Sequence, residues 1–392
     1  MEDKKYFRRL ITGITVGCFA LTTIMLTSCK KVEEVAKPPT FSEIINQVEN
    51  LGSYTMKGNI NTVSNNEKTI DINFSANVQD NNFTLDEVKT IIQNEDEKKE
   101  IKLNNIVSQD NEIIYLNLEE LINIEEIKDN PILNSEIFKG YLQIPYVNKD
   151  KYTSNEYENI KNQLISIFEQ HVKGYKKADY ISYFEYSITN KDEELVSLFS
   201  DILQLVQDYK SDLKTSAIGL TEYSRDITLE YIDLYTEYIK NIGIKLYTLS
   251  GNYDENEANE EISKTIAELK QQIISEVQNA IDKLPYEIDQ NLNGITIADI
   301  RNLINNQTDT QNITISIGKT NNNDIIFTFD FTTDREIEDI DVNNGFISNN
   351  LKMTITLTPV ENFENIQFTP TNITTFGDFI NKILEEIMTI FT

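Results

Sequence analysis

The chain has no tryptophan, and only one histidine and two cysteines among 392 residues. With His171 as the sole imidazole, no His-rich zinc site can be assembled. A serine triad would need the same residue as its base, and no G-x-S-x-G elbow is present to carry a nucleophile. Phosphate loops of the G-x-x-x-x-G-K-[ST] kind and G-x-G-x-x-G turns are missing too, which disfavours the nucleotide-using classes. Positive charge is scarce: 35 Lys and Arg stand against 64 Asp and Glu, a formal net charge of -29. Such a surface repels phosphate backbones and anionic headgroups, so nucleic acid is not an expected partner. There is also no internal repeat that would indicate a solenoid.

What is present begins with an address. Lys4, Lys5, Arg8 and Arg9 form a basic start, an apolar run follows from Ile11 to Leu26, and then come Leu26-Thr27-Ser28-Cys29 and Lys30-Lys31. The run is interrupted by Thr12, Gly13, Thr15, Gly17, Thr22 and Thr23. That suits a signal core better than a spanning helix, which needs about 20 apolar residues. The string Leu26, Thr27, Ser28, Cys29 resembles the lipobox of bacterial lipoprotein signal peptides: an aliphatic, a hydroxyl and a small residue before the cysteine. The resemblance implies cleavage before Cys29 and lipid, palmitate among it, on the thiol. Cys18 would leave with residues 1–28, so no disulfide and no free-thiol nucleophile would remain. The alternative is an uncleaved anchor with an incidental Cys29. Loss of residues 1–28, with four basic and two acidic side chains, would take the charge to -31. That acidity fits solubility near a crowded surface, or attraction of basic peptides or divalent cations.

Residues 29–40, with Pro38-Pro39, read as a lipidated tether. Phe41, Ile44, Ile45 and Val48 then recur at helical spacing up to Gly52. From Tyr54 the period becomes two. Tyr54, Met56 and Ile60, then Ile70, Ile72, Phe74, Ala76 and Val78, alternate with polar neighbours, and turn clusters such as Ser64-Asn65-Asn66 imply antiparallel neighbours. Further strands are expected over Phe83–Ile92, Ile101–Val107 and Ile113–Leu118. From about 150 to 305 the pattern reads as helical. One stripe runs through Tyr157, Ile160, Leu164, Phe168, His171 and Tyr175, and another from Leu195 to Tyr209. A third runs from Leu220 to Ile242, and a fourth from Ile262 to Leu284, ended by Pro285, with acidic Gly251 to Glu261 as a connecting loop. A short helix is expected over Asp299–Ile304. Ile313, Ile315 and Ile317, then Ile325, Phe327, Phe329 and Phe331, then Leu351, Met353, Ile355 and Leu357 form a second meander. Phe376, Phe379, Ile380, Ile383, Leu384 and Ile387 mark a closing helix.

The expected fold is α+β: a curved antiparallel sheet built from the N- and C-terminal meanders, with a large helical insertion packed on its concave side. The expected boundaries are 1–28 leader, 29–40 tether, 41–150 helix and meander, 151–309 helical insertion, and 310–392 meander and terminal helix, with 41–392 as one composite domain. The strings Leu51-Gly52-Ser53-Tyr54, Glu112-Ile113-Ile114-Tyr115-Leu116-Asn117, Leu357-Thr358-Pro359 and Phe368-Thr369-Pro370, in this layout, resemble half-barrel lipoproteins of the LolA and LppX type. That resemblance implies a hydrophobic ligand held between sheet and helices.

The remaining constellations are bland. His171 lies on an apolar stripe and reads as a core or boundary histidine rather than an acid-base group. Asp339-Ile340-Asp341-Val342-Asn343-Asn344-Gly345 lacks the Gly and Glu that a calcium loop needs at its sixth and twelfth places, where Asn344 and Asn350 stand, so it reads as a turn. Lys173, Lys176 and Lys177, the basic cluster outside the leader, read as a solvated loop. Tyr223, Tyr231, Tyr235 and Tyr238 share one side of a helix, as core packing or as the lining of a cavity for an amphipathic ligand. The expectation is a non-enzymatic binding or carrier lipoprotein without cofactor or metal. The alternatives are a surface protein engaging another protein through its helices, or a hydrolase using paired carboxylates.

Overall fold

The computed structural model describes residues 38–63, 69–79, 82–93, 98–110, 112–122, 138–147, 152–190, 192–249, 251, 254–306, 309–334, 349–360, 370 and 372–391. The lipobox Leu26 to Cys29, Asp339 to Gly345 and Phe368-Thr369 lie outside these residues. In chain order the elements are α1 (Phe41–Glu49), β1 (Ser53–Val63), β2 (Thr69–Gln79), β3 (Asn82–Gln93), β4 (Lys98–Asp110), β5 (Ile113–Asn117) and α2 (Leu118–Ile122). Next come β6 (Tyr141–Pro145), α3 (Asn155–His171), β7 (Lys173–Gly174), β8 (Tyr180–Thr189), α4 (Glu193–Asp208), α5 (Lys210–Leu249), α6 (Glu255–Asn293) and α7 (Ile297–Asn305). The chain closes with β9 (Gln311–Thr320), β10 (Ile325–Thr333), β11 (Asn350–Pro359), β12 (Ile373–Thr375) and α8 (Phe376–Phe391).

The fold is α+β with one curved, unclosed sheet in the order β12-β6-β5-β4-β3-β2-β1-β11-β10-β9-β8-β7. It is mostly antiparallel, β12 alongside β6 being a parallel pair. The two meanders join where β1 pairs with β2 on one side and β11 on the other, Met56 facing Ala76 and Leu357.

Contacts divide the chain into two compact units. The first comprises residues 1–105, 162–205 and 295–367. Its strands alternate, so one face of β1, β2, β8, β9, β10 and β11 is apolar. Helix α1 lies on this face. Thr40 caps it, accepting from the Glu43 amide at 3.2 Å while its own amide donates to Glu43 Oε2 at 2.7 Å. Ile44, Ile45 and Val48 are buried against Tyr54, Ile165, Ile317, Ile325 and Leu357. Each such aliphatic side chain contributes about 1.5–3 kcal/mol. Ser42 Oγ donates to Glu169 Oε2 at 2.5 Å, tying α1 to α3. A second cluster joins Tyr186 and Ile188 to Leu198 of α4, and a third joins Val196 to Ile300 and Ile304 of α7.

The second unit comprises residues 106–161, 206–294 and 368–392. Its 40-residue α5 and 39-residue α6 are each about 60 Å long. They run antiparallel in one constant register. Lys210 donates to Asn293 Oδ1 at 3.0 Å, Lys214 to Asp289 Oδ2 at 2.7 Å, Lys270 pairs with Asp233, and Ile262 packs on Gly243. A Cβ at Gly243 would stand 2.6 Å from Ile262 Cδ1, so glycine permits this approach. On another side α5 carries Tyr235 and Tyr238 against Phe376 of α8.

Three helical expectations need correction. Residues 180–189 form strand β8, paired with β9 from Tyr180 to Thr189, and α3 stops at His171, so Tyr175 sits in the β7–β8 hairpin. Tertiary pairing with β9 outweighs the helical spacing of the flanks. The acidic loop is shorter, because Asp254 caps α6 and accepts from the amides of Asn256 and Glu257, both at 2.9 Å. Helix α6 also continues past Pro285 to Asn293. An interior proline costs about 3 kcal/mol, and the α5 lysines on Asp289 and Asn293 hold the turn beyond it.

Candidate functional site

The strand registers of the first unit align its apolar face in rows. Phe74, Gly58, Ile355, Phe327, Ile317 and Phe184 form one; Ile72, Ile60, Met353, Phe329, Ile315 and Tyr186 form the next; Ile70, Thr62, Leu351, Phe331, Ile313 and Ile188 form a third. Where α1, α3 and α4 cover the rows, the side chains are buried. In the middle, Phe74, Ile72, Ile60, Ile70, Met353, Leu351, Phe329 and Phe331 are half-buried and belong to none of the buried clusters. The Phe74 ring lies on the backbone of Gly58, closer than any Cβ would allow.

Two hydroxyls break this apolar surface. Thr62 Oγ1 (residue 1 % exposed) and Tyr186 OH (residue 6 % exposed) are buried without a hydrogen-bond partner. Burial, then the carboxylates of Glu194 and Asp192, push the Tyr186 phenol well above its ordinary pKa. Neither was foreseen from the sequence. The available signal was a threonine on the inward register of β1, two places after Ile60.

The opposite face is different, since its polar groups consume one another. Asn59 Nδ2 donates to Asp71 Oδ1 at 2.6 Å and Asn73 Oδ1 at 2.9 Å, Asn77 donates to Asp86 at 2.5 Å, and Ser316 and Thr328 share a bond of 2.5 Å.

His171 ends α3, its Nε2 2.9 Å from Asp201 Oδ2 and its ring edge-on to Tyr186 at 6.2 Å. The imidazole thus joins α3 to α4 as a boundary residue. Lys173 pairs with Glu194 at 3.3 Å, and Lys177 Nζ stands 3.4 Å from the centroid of the Tyr183 ring.

In the second unit the four tyrosines separate. Tyr231 stacks on Tyr235 at 6.5 Å, Tyr235 meets Tyr238 at 5.8 Å, and Tyr235 and Tyr238 both lie edge-on to Phe376. Tyr223 sits elsewhere, against Tyr152 at 6.0 Å. Tyr235 OH donates to the Pro145 carbonyl at 2.5 Å, and burial, then Tyr231 and Tyr238, raises its pKa. Tyr146, accepting from Gln109 at 2.5 Å, is raised by burial with a further contribution from Tyr231.

Among the described residues no group of three or more His, Cys, Asp or Glu could hold a metal, and no helix is long and apolar enough to cross a membrane. No family model matches the chain, and neither a curated protein nor a solved structure matches it.

Proposed function

We propose that the chain is a membrane-anchored extracytoplasmic lipoprotein that binds or carries a hydrophobic or amphipathic ligand on the apolar face of its sheet. The observation that carries this reading is the half-buried apolar middle of that face, with the unpartnered hydroxyl of Thr62 buried within it and that of Tyr186 in the buried cluster alongside. Ligand sites are mostly apolar with a few placed polar groups, and buried polar groups left without partners cost free energy until something satisfies them. The lipobox string supports the anchor, and the LolA and LppX likeness supports a half-barrel carrier without enzymatic activity.

Native mass spectrometry of the full chain from its own membranes tests the reading. A mass excess that leaves on collisional activation is expected, and it should shrink in Met353→Glu, whose charge would stand in the middle of the face. A bare mass, together with no uptake of the apolar dye N-phenylnaphthylamine, would remove the carrier. For the anchor, Cys29→Ala should abolish incorporation of labelled fatty acid; label in that variant refutes it.

A second reading, a protein partner for the helical hairpin, draws on the exposed Leu220, Leu234, Ile239 and Leu246 of α5 and Leu269 and Ile274 of α6. At about 100° per residue those on α5 spread widely around it, with Leu234 and Ile239 about 140° apart. They form no single stripe, and scattered apolar side chains are ordinary surface.

A further inference from the structure

We propose that the β7–β8 hairpin is a membrane-contact tip that docks on an anionic lipid surface and fixes how the anchored body stands; the inference rests on the lipid-anchor reading above. Residues 173–179 and Ile181 are exposed, and they place Tyr175 (49 % exposed) and Ile181 (40 %) beside Lys173, Lys176 and Lys177. An amphipathic ring, an aliphatic side chain and lysines together suit a headgroup interface, where tyrosine is enriched and basic side chains meet anionic lipid.

The tip is held firmly. Tyr175 N donates to the Tyr183 carbonyl at 2.9 Å, and Asn321 braces the far side, its amide donating to the Asp179 carbonyl at 3.0 Å and its side chain to that of Ala178 at 3.2 Å. The tether arrives at the same place. Ser182 Oγ donates to the Pro39 carbonyl at 2.7 Å, next to Ile181. The nine peptide steps from Cys29 to Pro38 reach at most about 30 Å, so a lipid on Cys29 confines this end of the chain to the neighbourhood of the bilayer. Charge then selects the orientation. A processed chain of net charge -31 is repelled by an anionic surface, whereas each lysine near such a surface favours contact on the order of five-fold. The lysines of the tip outnumber its one acidic residue, Asp179, so the tip can face the lipid.

Because the chain has no tryptophan, Tyr175→Trp creates a sole reporter. The full lipidated chain carrying it is placed in vesicles of phosphatidylglycerol and phosphatidylcholine, or of phosphatidylcholine alone. In the anionic vesicles the emission should move to the blue, and quenching by aqueous acrylamide should fall about three-fold or more. Adding Lys173→Glu and Lys176→Glu should restore quenching while leaving Lys177 on Tyr183. A chain that floats with the vesicles and carries lipid on Cys29, yet keeps Trp emission as accessible as in detergent-free buffer, overturns the tip and spares the anchor. Protection that is equal in neutral vesicles, or indifferent to the two reversals, overturns the electrostatic orientation. A chain with no lipid and no flotation removes the anchor and this inference with it.

Discussion

Replacing Tyr186 by phenylalanine should stabilise the first unit, against the usual direction of a core tyrosine truncation. The ring of Tyr186 packs with Ile188 and Leu198, and phenylalanine keeps all of that surface. Only the hydroxyl goes, and it is buried with no partner, in surroundings that push its pKa upward through burial. An unsatisfied buried hydroxyl costs about 1–3 kcal/mol, so removing it should return about 1–2 kcal/mol. Thr62→Val tests the same reasoning at a second position, where a methyl replaces the hydroxyl at nearly equal volume. The assay is hydrogen exchange of the β8 and β1 amides in ligand-free protein, which reads local opening of this unit alone. A gain of 1.4 kcal/mol slows such exchange about ten-fold. The two effects should add, because the altered atoms share no partner. Faster exchange in Tyr186→Phe, by three-fold or more, would refute the reasoning, since it would mean that the phenol is satisfied in solution.

Other perturbations have signs fixed by the same structure. Tyr235→Phe removes a hydroxyl that does have a partner, the Pro145 carbonyl, so it should destabilise the second unit by about 0.5–1.5 kcal/mol in urea titrations, the opposite of Tyr186→Phe. Gly58→Ala forces the Phe74 ring off the backbone of β1, with an expected loss of about 1–3 kcal/mol; the double variant Gly58→Ala, Phe74→Leu should recover part of it by making room. Hydrogen bonds from Lys210, then Lys214, hold the Asp289 carboxyl below its ordinary pKa. A depressed carboxylate contributes its stability above the unfolded value of 3.8 and loses it as pH falls through the lower folded value. Protection of the α6 amides beyond Pro285 should therefore drop on acidification below about pH 4 in the native chain but not in Asp289→Asn.

The two meanders were legible because strand alternation is a local signal: Ile70 to Val78 and Ile325 to Phe331 carry period two with few exceptions, and β2 and β10 lie where that period runs. The long helices were legible for the same reason. Strand β8 was not, although Phe184, Tyr186 and Ile188 alternate with Glu185 and Ser187. It is flanked by the two-residue β7 and helix α4, and its long partner β9 lies more than a hundred residues away, so no local pattern announces that pairing. The start of α6 was missed, since residues 251–261 read as an acidic loop although Asp254-Glu255-Asn256-Glu257 carries the capping box that the structure contains. The continuation beyond Pro285 was missed too, because it depends on side chains of α5 rather than on α6 itself. The hydroxyls of the candidate site were hidden for a further reason: a threonine on an apolar register differs from a satisfied one only in what its neighbours offer, and those neighbours come from β2 and β11.

The contrast between the two faces of the sheet bears on where binding energy can come from. On the outer face Asn59, Asp71 and Asn73 already bond one another, so a ligand that displaced one of them would exchange one hydrogen bond for another at little net gain. On the inner face the apolar middle has no hydrogen bonds to exchange. Covering about 200 Å² of it would yield about 5 kcal/mol, and a ligand hydroxyl that displaces the side chains now covering Thr62 or Tyr186 would lift a penalty that the empty protein already carries. Stability and binding are then coupled with opposite signs at these two positions. A variant without the hydroxyl should be the more stable empty protein, and also the poorer binder, because the ligand loses its polar contact. Ligand occupancy should narrow or reverse the stability difference between Tyr186→Phe and the native chain, since occupied native protein gains by mass action what the variant cannot. A purely structural pair of buried hydroxyls would show the first effect without the second.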